Sequence, residues 1–394
     1  MDRHAGHDLR FEHGPLTGRL DSHPFAMKVL GLASYPVEAA ATRFRLAQFV
    51  EPLREHGIDL TVSPFMNAAQ FKRLYAGGGV AGKAASMISP VLKRLGQTLS
   101  VGKYDVILLQ REAMFFGPAI FEWLYRTLGR LPVVLDLDDA TYVSYVSPSY
   151  GKIGSFFKAF GKTDKLIEKA DLVICGNRFI ADYVENKGTK AVVIPTIADT
   201  EVFRPTAKEN KVPVIGWIGT HSTFPFLEFL FPVLERLATK HEFVLKVVGS
   251  GRDEIKIKGV EVENLAWSLE REAADFASLD IGLYPITVSD SASEEWLKGK
   301  SGFKAIQYLA VGVPFVMSPV GVCAEMGEAD VTHIEALTDD DWFRALDRLL
   351  SDRDLRTKMG EAARQHSVEH YSVPVHAKAL SEALRSVTSG VSEK

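Results

Sequence analysis

The chain has only two cysteines in 394 residues, Cys175 and Cys323, far apart and without a CxxC spacing. That excludes a disulfide framework and a thiolate zinc site, and it fits a reducing compartment. No run approaches the ~18 consecutive apolar residues needed to cross a bilayer as a helix. The G-x-G-x-x-G fingerprint is missing after the first predicted strand, so an NAD-dependent reading loses its best support. Residues 1–26 show no apolar periodicity and no apolar core of the kind a signal peptide needs. They are expected to form a disordered tail. Acidic residues are missing altogether between Asp59 and Asp105.

What is present is ordinary globular composition, 46% apolar and 24% charged. The net charge of −4 is unevenly spread, with a balance of +5 over residues 27–199 and −8 over 200–394. A basic half joined to an acidic half suggests two domains facing different partners. Short apolar runs recur from Met27 onward: MKVLGLA (27–33), DLTVSP (59–64), YDVILLQ (104–110), PVVLDLD (132–138), LVICGN (172–177) and AVVIPT (191–196). The second half repeats the pattern with VPVIGWIG (212–219), FVLKVVG (243–249), VEVEN (260–264), IGLYP (281–285) and PFVMSP (314–319). These runs carry little polar alternation, as strands buried on both faces require. Helical spacing lies between them, as in Phe44–His56 and Phe226–Thr239. Alternating strands and helices predict an α/β fold of two Rossmann-like, doubly wound domains facing across a cleft. The polar stretch 198–213, with two prolines, divides the chain into a domain over 27–199 and a second over 200–372. Residues 373–394 are expected to add a C-terminal helix that packs back on the first domain.

In open parallel sheets, ligands bind beyond the carboxyl ends of the strands. Arg43 and Arg45 follow the first strand, near the predicted start of a helix, where guanidinium groups call for an anion such as phosphate. The alternative is a solvated turn. Asp136, Asp138 and Asp139 end the fourth strand and repel each other unless solvent, a cation, a hydroxyl or an arginine compensates. A magnesium site or helix N-caps compete with a role toward a substrate hydroxyl. Gly219 and Thr220 follow the first strand of the second half, where small residues let a backbone approach phosphate oxygens. The fullest constellation is 282–321, in which Lys300 and Lys304 are four apart and are expected on one face near a helix start. Gln307 lies a turn beyond, its carboxamide suited to paired sugar hydroxyls. Two ammonium groups and then a carboxamide match the diphosphate and ribose of a sugar nucleotide.

With those residues in hand, the chain from Met27 to Val387 resembles family 4 of the retaining glycosyltransferases, which adopt the two-domain GT-B fold. The resemblance is carried by IPTIADTEVFRP, VIGWIGTHST, VVGSG and DIGLYP…GKSGFKAIQYLAVGVPFVMSPVG, with DLDDA and TRFR as features of one branch. The family's donor motif has two glutamates eight residues apart; here those positions hold Gly299 and Gln307, in a variant GK-x-x-F-K-x-x-Q pattern. The resemblance implies transfer of a sugar from a nucleotide-diphosphate sugar to a hydroxyl with retained configuration, in cell-surface polysaccharide or glycolipid synthesis. No cofactor or metal is implied; the nucleotide sugar is a co-substrate. Gly219, Thr220, Lys300, Lys304 and Gln307 would bind the donor, and Lys300 would act at the reacting centre with Asp138. Arg43, Arg45 and Asp139 would face the acceptor or a phosphate. Alternatives are a sugar-nucleotide epimerase, a catalytically silent relative (on account of Gly299), or a two-lobed sugar-binding protein.

The acid-free stretch 71–103 carries Lys72, Arg73, Lys83, Lys93, Arg94 and Lys103 among Phe71, Leu74, Ile88, Val91, Leu92 and Leu95. Such a stretch suits contact with an anionic membrane. The expectation is a cytoplasmic protein at the inner face of the cell membrane, acting on a lipid-linked or saccharide acceptor. An ordinary helix pair with a lysine-rich face is the alternative. Nucleic acid is not expected as a partner, since no recognised module is present and the net charge is negative.

Overall fold

Strands made of consecutive apolar residues need cover on both faces, and the computed structural model supplies it twice. It describes residues 27–75, 80–143, 161–207, 210–287 and 294–388. The tail 1–26 and the end of the 373–394 segment lie outside the described residues. The first sheet holds β1 (Met27–Ala33), β2 (Ile58–Pro64), β3 (Val106–Gln110), β4 (Val133–Leu137), β5 (Leu172–Cys175) and β6 (Ala191–Val193), in the order β2-β1-β3-β4-β5-β6. The second holds β7 (Val214–Ile218), β8 (Val244–Val248), β9 (Glu261–Leu265), β10 (Ile281–Tyr284), β11 (Phe315–Met317) and β12 (His333–Glu335), in the order β12-β11-β10-β7-β8-β9. Every pairing is parallel. These are two Rossmann-like domains whose strand ends meet across an interlobe seam.

β12 has no counterpart among the predicted strands. It is three residues long, begins with His333 and sits at the sheet edge, so it has no apolar run to betray it. Two predicted helices are each broken in two. Phe44–His56 becomes α1 (Ala40–Arg45), a 3-10 turn Ala47–Phe49, and α2 (Val50–Glu55). Phe226–Thr239 becomes the helices Phe224–Glu228 and Phe231–Ala238. Pro52 and Pro232 explain both breaks. A proline offers no N–H to the carbonyl four residues back, so a helix cannot run through it unbroken.

The helix Val373–Ser386 lays Val373, Ala377, Leu380, Ala383 and Leu384 against Leu46, Phe49 and Leu53 of the first domain. Burying a Leu or Val side chain contributes ~1.5–3 kcal/mol, so the chain's last helix is a structural part of its first lobe. The lobes also share aromatic packing. Phe44 from α1 sits in the second lobe's apolar cluster, 4.5 Å from the Phe303 ring and 6.0 Å from Phe203.

Four further helices cover one face of the first sheet. They are α3 (Ala68–Tyr75), α4 (Val80–Ser86), α5 (Ile88–Thr98) and α6 (Ile120–Gly129). Of the apolar residues in the 71–103 stretch, Phe71, Leu74, Met87 and Val91 pack toward the core. Arg94 is also turned inward and fully buried.

Candidate functional site

The acidic end of β4 is neutralised by two arginines. Asp136 is buried within the sheet and receives Nε of Arg45 at 2.9 Å, while Arg45 Nη1 donates to the Ile194 carbonyl at 2.8 Å. Arg45 is therefore sealed inside the first lobe and is not a phosphate ligand, which corrects the expectation. The helix-start argument also fails. α1 is only six residues long, and Arg43 and Arg45 stand in its last turn, where a cation is favoured by the helix dipole without any anion.

Arg111, a residue no motif singled out, compensates the other two carboxylates. Its Nε and Nη2 donate to the two oxygens of Asp138 at 2.6 and 2.7 Å, and Nη2 also reaches Asp139 at 2.8 Å. Arg111 follows β3 with φ of 60°, a left-handed conformation rare outside glycine. Such a conformation is sustained by its surroundings and is frequent at functional sites. Gln110 is in register with Asp136, so the residue after β3 lies beside the acidic strand end. That adjacency was the available signal. Burial works against the Asp138 carboxylate, but the Arg111 guanidinium outweighs it and holds its pKa below the ordinary value. A carboxylate so tied is a weak base, so Asp138 serves as an anchor for Arg111. Asp139 is the more accessible of the pair, its side chain 37% exposed.

Residues 298–301 join the lobes through main-chain atoms. Asn177 after β5 donates through Nδ2 to the carbonyls of Lys300 at 2.9 Å and Lys298 at 3.4 Å. The Ala140 N–H donates to the Gly299 carbonyl at 3.1 Å, and the Ser301 N–H donates to Asp139 at 3.2 Å. Gly299 is central to this seam. A Cβ built there would fall 2.1 Å from the Ala140 Cβ. The position that carries a glutamate in the resembled motif is thus filled by the other lobe.

Lys300 and Lys304 do not share a helix face as expected. The helix spans Phe303–Val311, with Gly302 at its N-cap in a left-handed conformation (φ 62°), so Lys300 precedes it and only Lys304 belongs to it. Lys300 lies over the Trp296 ring, 3.8 Å from its centroid, in the field of Asp139 and Arg111. Trp296 itself belongs to a short helix, Glu294–Lys298. Lys304 lies over Phe276 at 5.1 Å and donates to Gln307 Oε1 at 3.2 Å. Burial lowers the pKa of both ammonium groups, that of Lys304 to about 8. Among the described residues neither forms an ion pair.

Gln307 is fully buried, its Nε2 donating to Glu272 at 3.3 Å. Its carboxamide is thus engaged on both sides, by Lys304 and by Glu272, and does not stand open as expected. Glu272 is buried, and its other oxygen receives Arg43 Nη2 at 2.5 Å across the lobes. Among the described residues, Arg43 keeps a second nitrogen, Nη1, buried without a hydrogen-bond partner. Sequence reasoning missed Glu272 because it sits in a polar stretch, SLEREAADF, that reads as ordinary helix surface. Gly219 and Thr220 follow β7. The Gly219 N–H donates to the Val248 carbonyl at 3.0 Å and the Thr220 N–H to Thr223 Oγ1 at 3.1 Å, so both are occupied. Thr220 is exposed at the mouth of the loop, and a Cβ at Gly249 would meet the Gly219 carbonyl.

This arrangement belongs to proteins of GT-B type: two Rossmann-like lobes with a cationic strand-end face on the second. The structure of Anabaena HepE in complex with UDP is similar over 91% of this chain and 100% of its own, at TM-score 0.62 and 14% identity. Sucrose-phosphate synthase from Thermosynechococcus elongatus is similar over 92% and 100%, at 0.62 and 12%. A glycosyltransferase from Rickettsia africae is similar over 92% and 98%, at 0.64 and 15%. At these identities the likeness defines the fold. In sequence, residues 212–352 match glycosyl transferases group 1. No curated protein matches the chain by sequence.

Proposed function

We propose that the chain transfers a sugar from a nucleotide-diphosphate sugar to a hydroxyl acceptor, with retained anomeric configuration. The observation that carries this reading is the pair Lys300 and Lys304, two half-buried ammonium groups at the seam that form no ion pair among the described residues. Desolvating a cation is costly unless an anion compensates, and a diphosphate would add to the fields of Asp139 at Lys300 and Glu272 at Lys304. The match of residues 212–352 to glycosyl transferases group 1 supports the same chemistry. So does the UDP-glucose held by the structural neighbour from Anabaena.

In this reading Lys300 and Lys304 stabilise the charge that develops on the leaving diphosphate. One such donor is worth ~2.7–4 kcal/mol in other enzymes. Gln307, buried between Lys304 and Glu272, holds the Lys304 ammonium in place, and the Gly219–Thr220 loop flanks the phosphates. Asp139 and Arg111 border the acceptor side, with Asp138 and Lys300 nearest the reacting centre. The acceptor is a saccharide or a lipid-linked saccharide of a surface polysaccharide or glycolipid. The reaction needs no metal, because cationic side chains take the role a metal ion fills elsewhere.

Calorimetry of UDP, GDP and ADP and their sugars against the wild type and Lys300→Ala and Lys304→Ala tests the donor site. Loss of affinity by tenfold or more in each variant is expected. Unchanged affinity overturns the assignment. Product analysis with donor alone distinguishes an epimerase, which would alter the sugar without any acceptor.

A further inference from the structure

The helix α5 is built inside out. Successive residues turn by about 100° in a helix, which places Ile88, Leu92, Leu95 and Leu99 in one stripe and Pro90, Arg94 and Gln97 on the opposite side. Pro90, Arg94 and Gln97 face inward. Arg94 is fully buried, donating to the carbonyls of Ala113 at 3.0 Å and Ala33 at 2.8 Å and to Gln97 at 2.8 Å. The aliphatic stripe faces solvent, with Leu92 61% and Leu99 89% exposed. The neighbouring α6 adds Ile120, Trp123 and Leu128, with Trp123 57% exposed. The side opposite Trp123, Phe121 and Tyr125, packs in the core, and the Tyr125 hydroxyl donates to the Arg94 carbonyl.

Six of the 17 large apolar side chains exposed among the described residues therefore stand on two adjacent helices, and a seventh, Leu99, caps the first. Scattered surface leucines need no explanation; a contiguous set on two helices marks a contact surface. A cavity of about 830 Å³ opens beside it, lined by Ile120, Trp123 and Leu166, with Lys165, Lys169 and the Asp171-paired Arg126 against Glu122 and Glu168 at its edge. Residues 60–104 contain no acid, and Lys72, Arg73, Lys93 and Lys103 are exposed there.

We propose that the α5–α6 face seats the protein on an anionic phospholipid bilayer, with the leucine stripe and Trp123 in the acyl boundary and the basic residues on headgroups. Apolar burial and electrostatic attraction together favour such a surface over a protein partner, because each basic residue near an anionic membrane adds ~1 kcal/mol. The inference rests on the proposed lipid-linked acceptor only for its biological sense. It relocates the expected contact from 71–103 to 88–128 and removes Arg94 from it.

The test is flotation of the full chain with vesicles of phosphatidylglycerol or of phosphatidylcholine, without sugar nucleotide, so that its failure is separate from failure of the donor chemistry. Binding to phosphatidylglycerol vesicles that weakens with salt is expected. A Leu92→Glu/Leu95→Glu double variant should lose at least tenfold, with unchanged circular dichroism and nucleotide affinity. Trp123 emission should shift to the blue on vesicles, read as the difference from Trp123→Phe. Absence of binding at low salt, or equal binding by the double variant, overturns the proposal. So does a dimer in light scattering that the same two substitutions dissolve, since the face would then belong to a second copy.

Discussion

At the scale of single residues, the cations of this protein divide into those already answered and those left open. Arg45 is the first kind, in a buried pair with Asp136. Arg45→Met should cost ~3–5 kcal/mol in urea unfolding, because Asp136 would remain as an uncompensated buried charge. Arg45→Met/Asp136→Leu should recover most of that loss; a double variant as unstable as the single one would show that the pair does more than cancel itself. Lys304 is the second kind, its pKa drawn down to about 8 by burial. A diphosphate beside it favours the protonated form, so nucleotide binding at pH 8 should take up protons. Affinity should then fall as pH rises beyond 8. Calorimetry in two buffers of different ionisation enthalpy reads the uptake, and Lys304→Met should abolish it. The two lysines and Gln307 were legible in the sequence as residue types at a spacing. Their partners were not. Glu272 lies 35 residues from Gln307 and 229 from Arg43, and Arg111 lies 27 from Asp138. Such pairs are made by topology, which local pattern does not encode.

At the scale of elements, eleven strands were legible because parallel strands buried on both faces leave unbroken apolar runs. β12 escaped because an edge strand of three residues carries no such run. Helix existence was legible, and helix continuity was not: Pro52 and Pro232 sat in plain view within windows whose apolar spacing suited a single helix. α5 shows a deeper limit. Amphipathic spacing identifies a helix, yet it does not say which side faces the core, and here Arg94 takes the inward place. The helix Val373–Ser386 gives a direct prediction. Leu384→Ala should destabilise by ~2–5 kcal/mol. Hydrogen exchange should show the loss of protection in β1, β2 and α2, far away in sequence, with the second sheet little changed. Loss confined to the second sheet would contradict the packing on Leu46, Phe49 and Leu53.

At the scale of the whole molecule, the seam at 298–301 sets the relation of the lobes. Replacing Gly299 by glutamate restores the first glutamate of the resembled motif, yet the structure leaves no room for a side chain against Ala140. Gly299→Glu should therefore lower transfer rather than raise it, and small-angle scattering should report a larger radius of gyration. Gain of activity with an unchanged radius would overturn this account of the glycine.

Asn177 holds the peptide carbonyls on either side of Gly299, although it belongs to the opposite lobe from the proposed donor site. In the proposed reading, a phosphate seated on Lys300 is therefore coupled to the strand ends of the first lobe through this one side chain. Thermodynamic reciprocity then requires that lobe docking and donor affinity strengthen each other by one common factor. Trimming Asn177 to alanine should weaken donor affinity from a position outside the nucleotide's reach, so the grip on the donor is also a gauge of whether the acceptor side is in place.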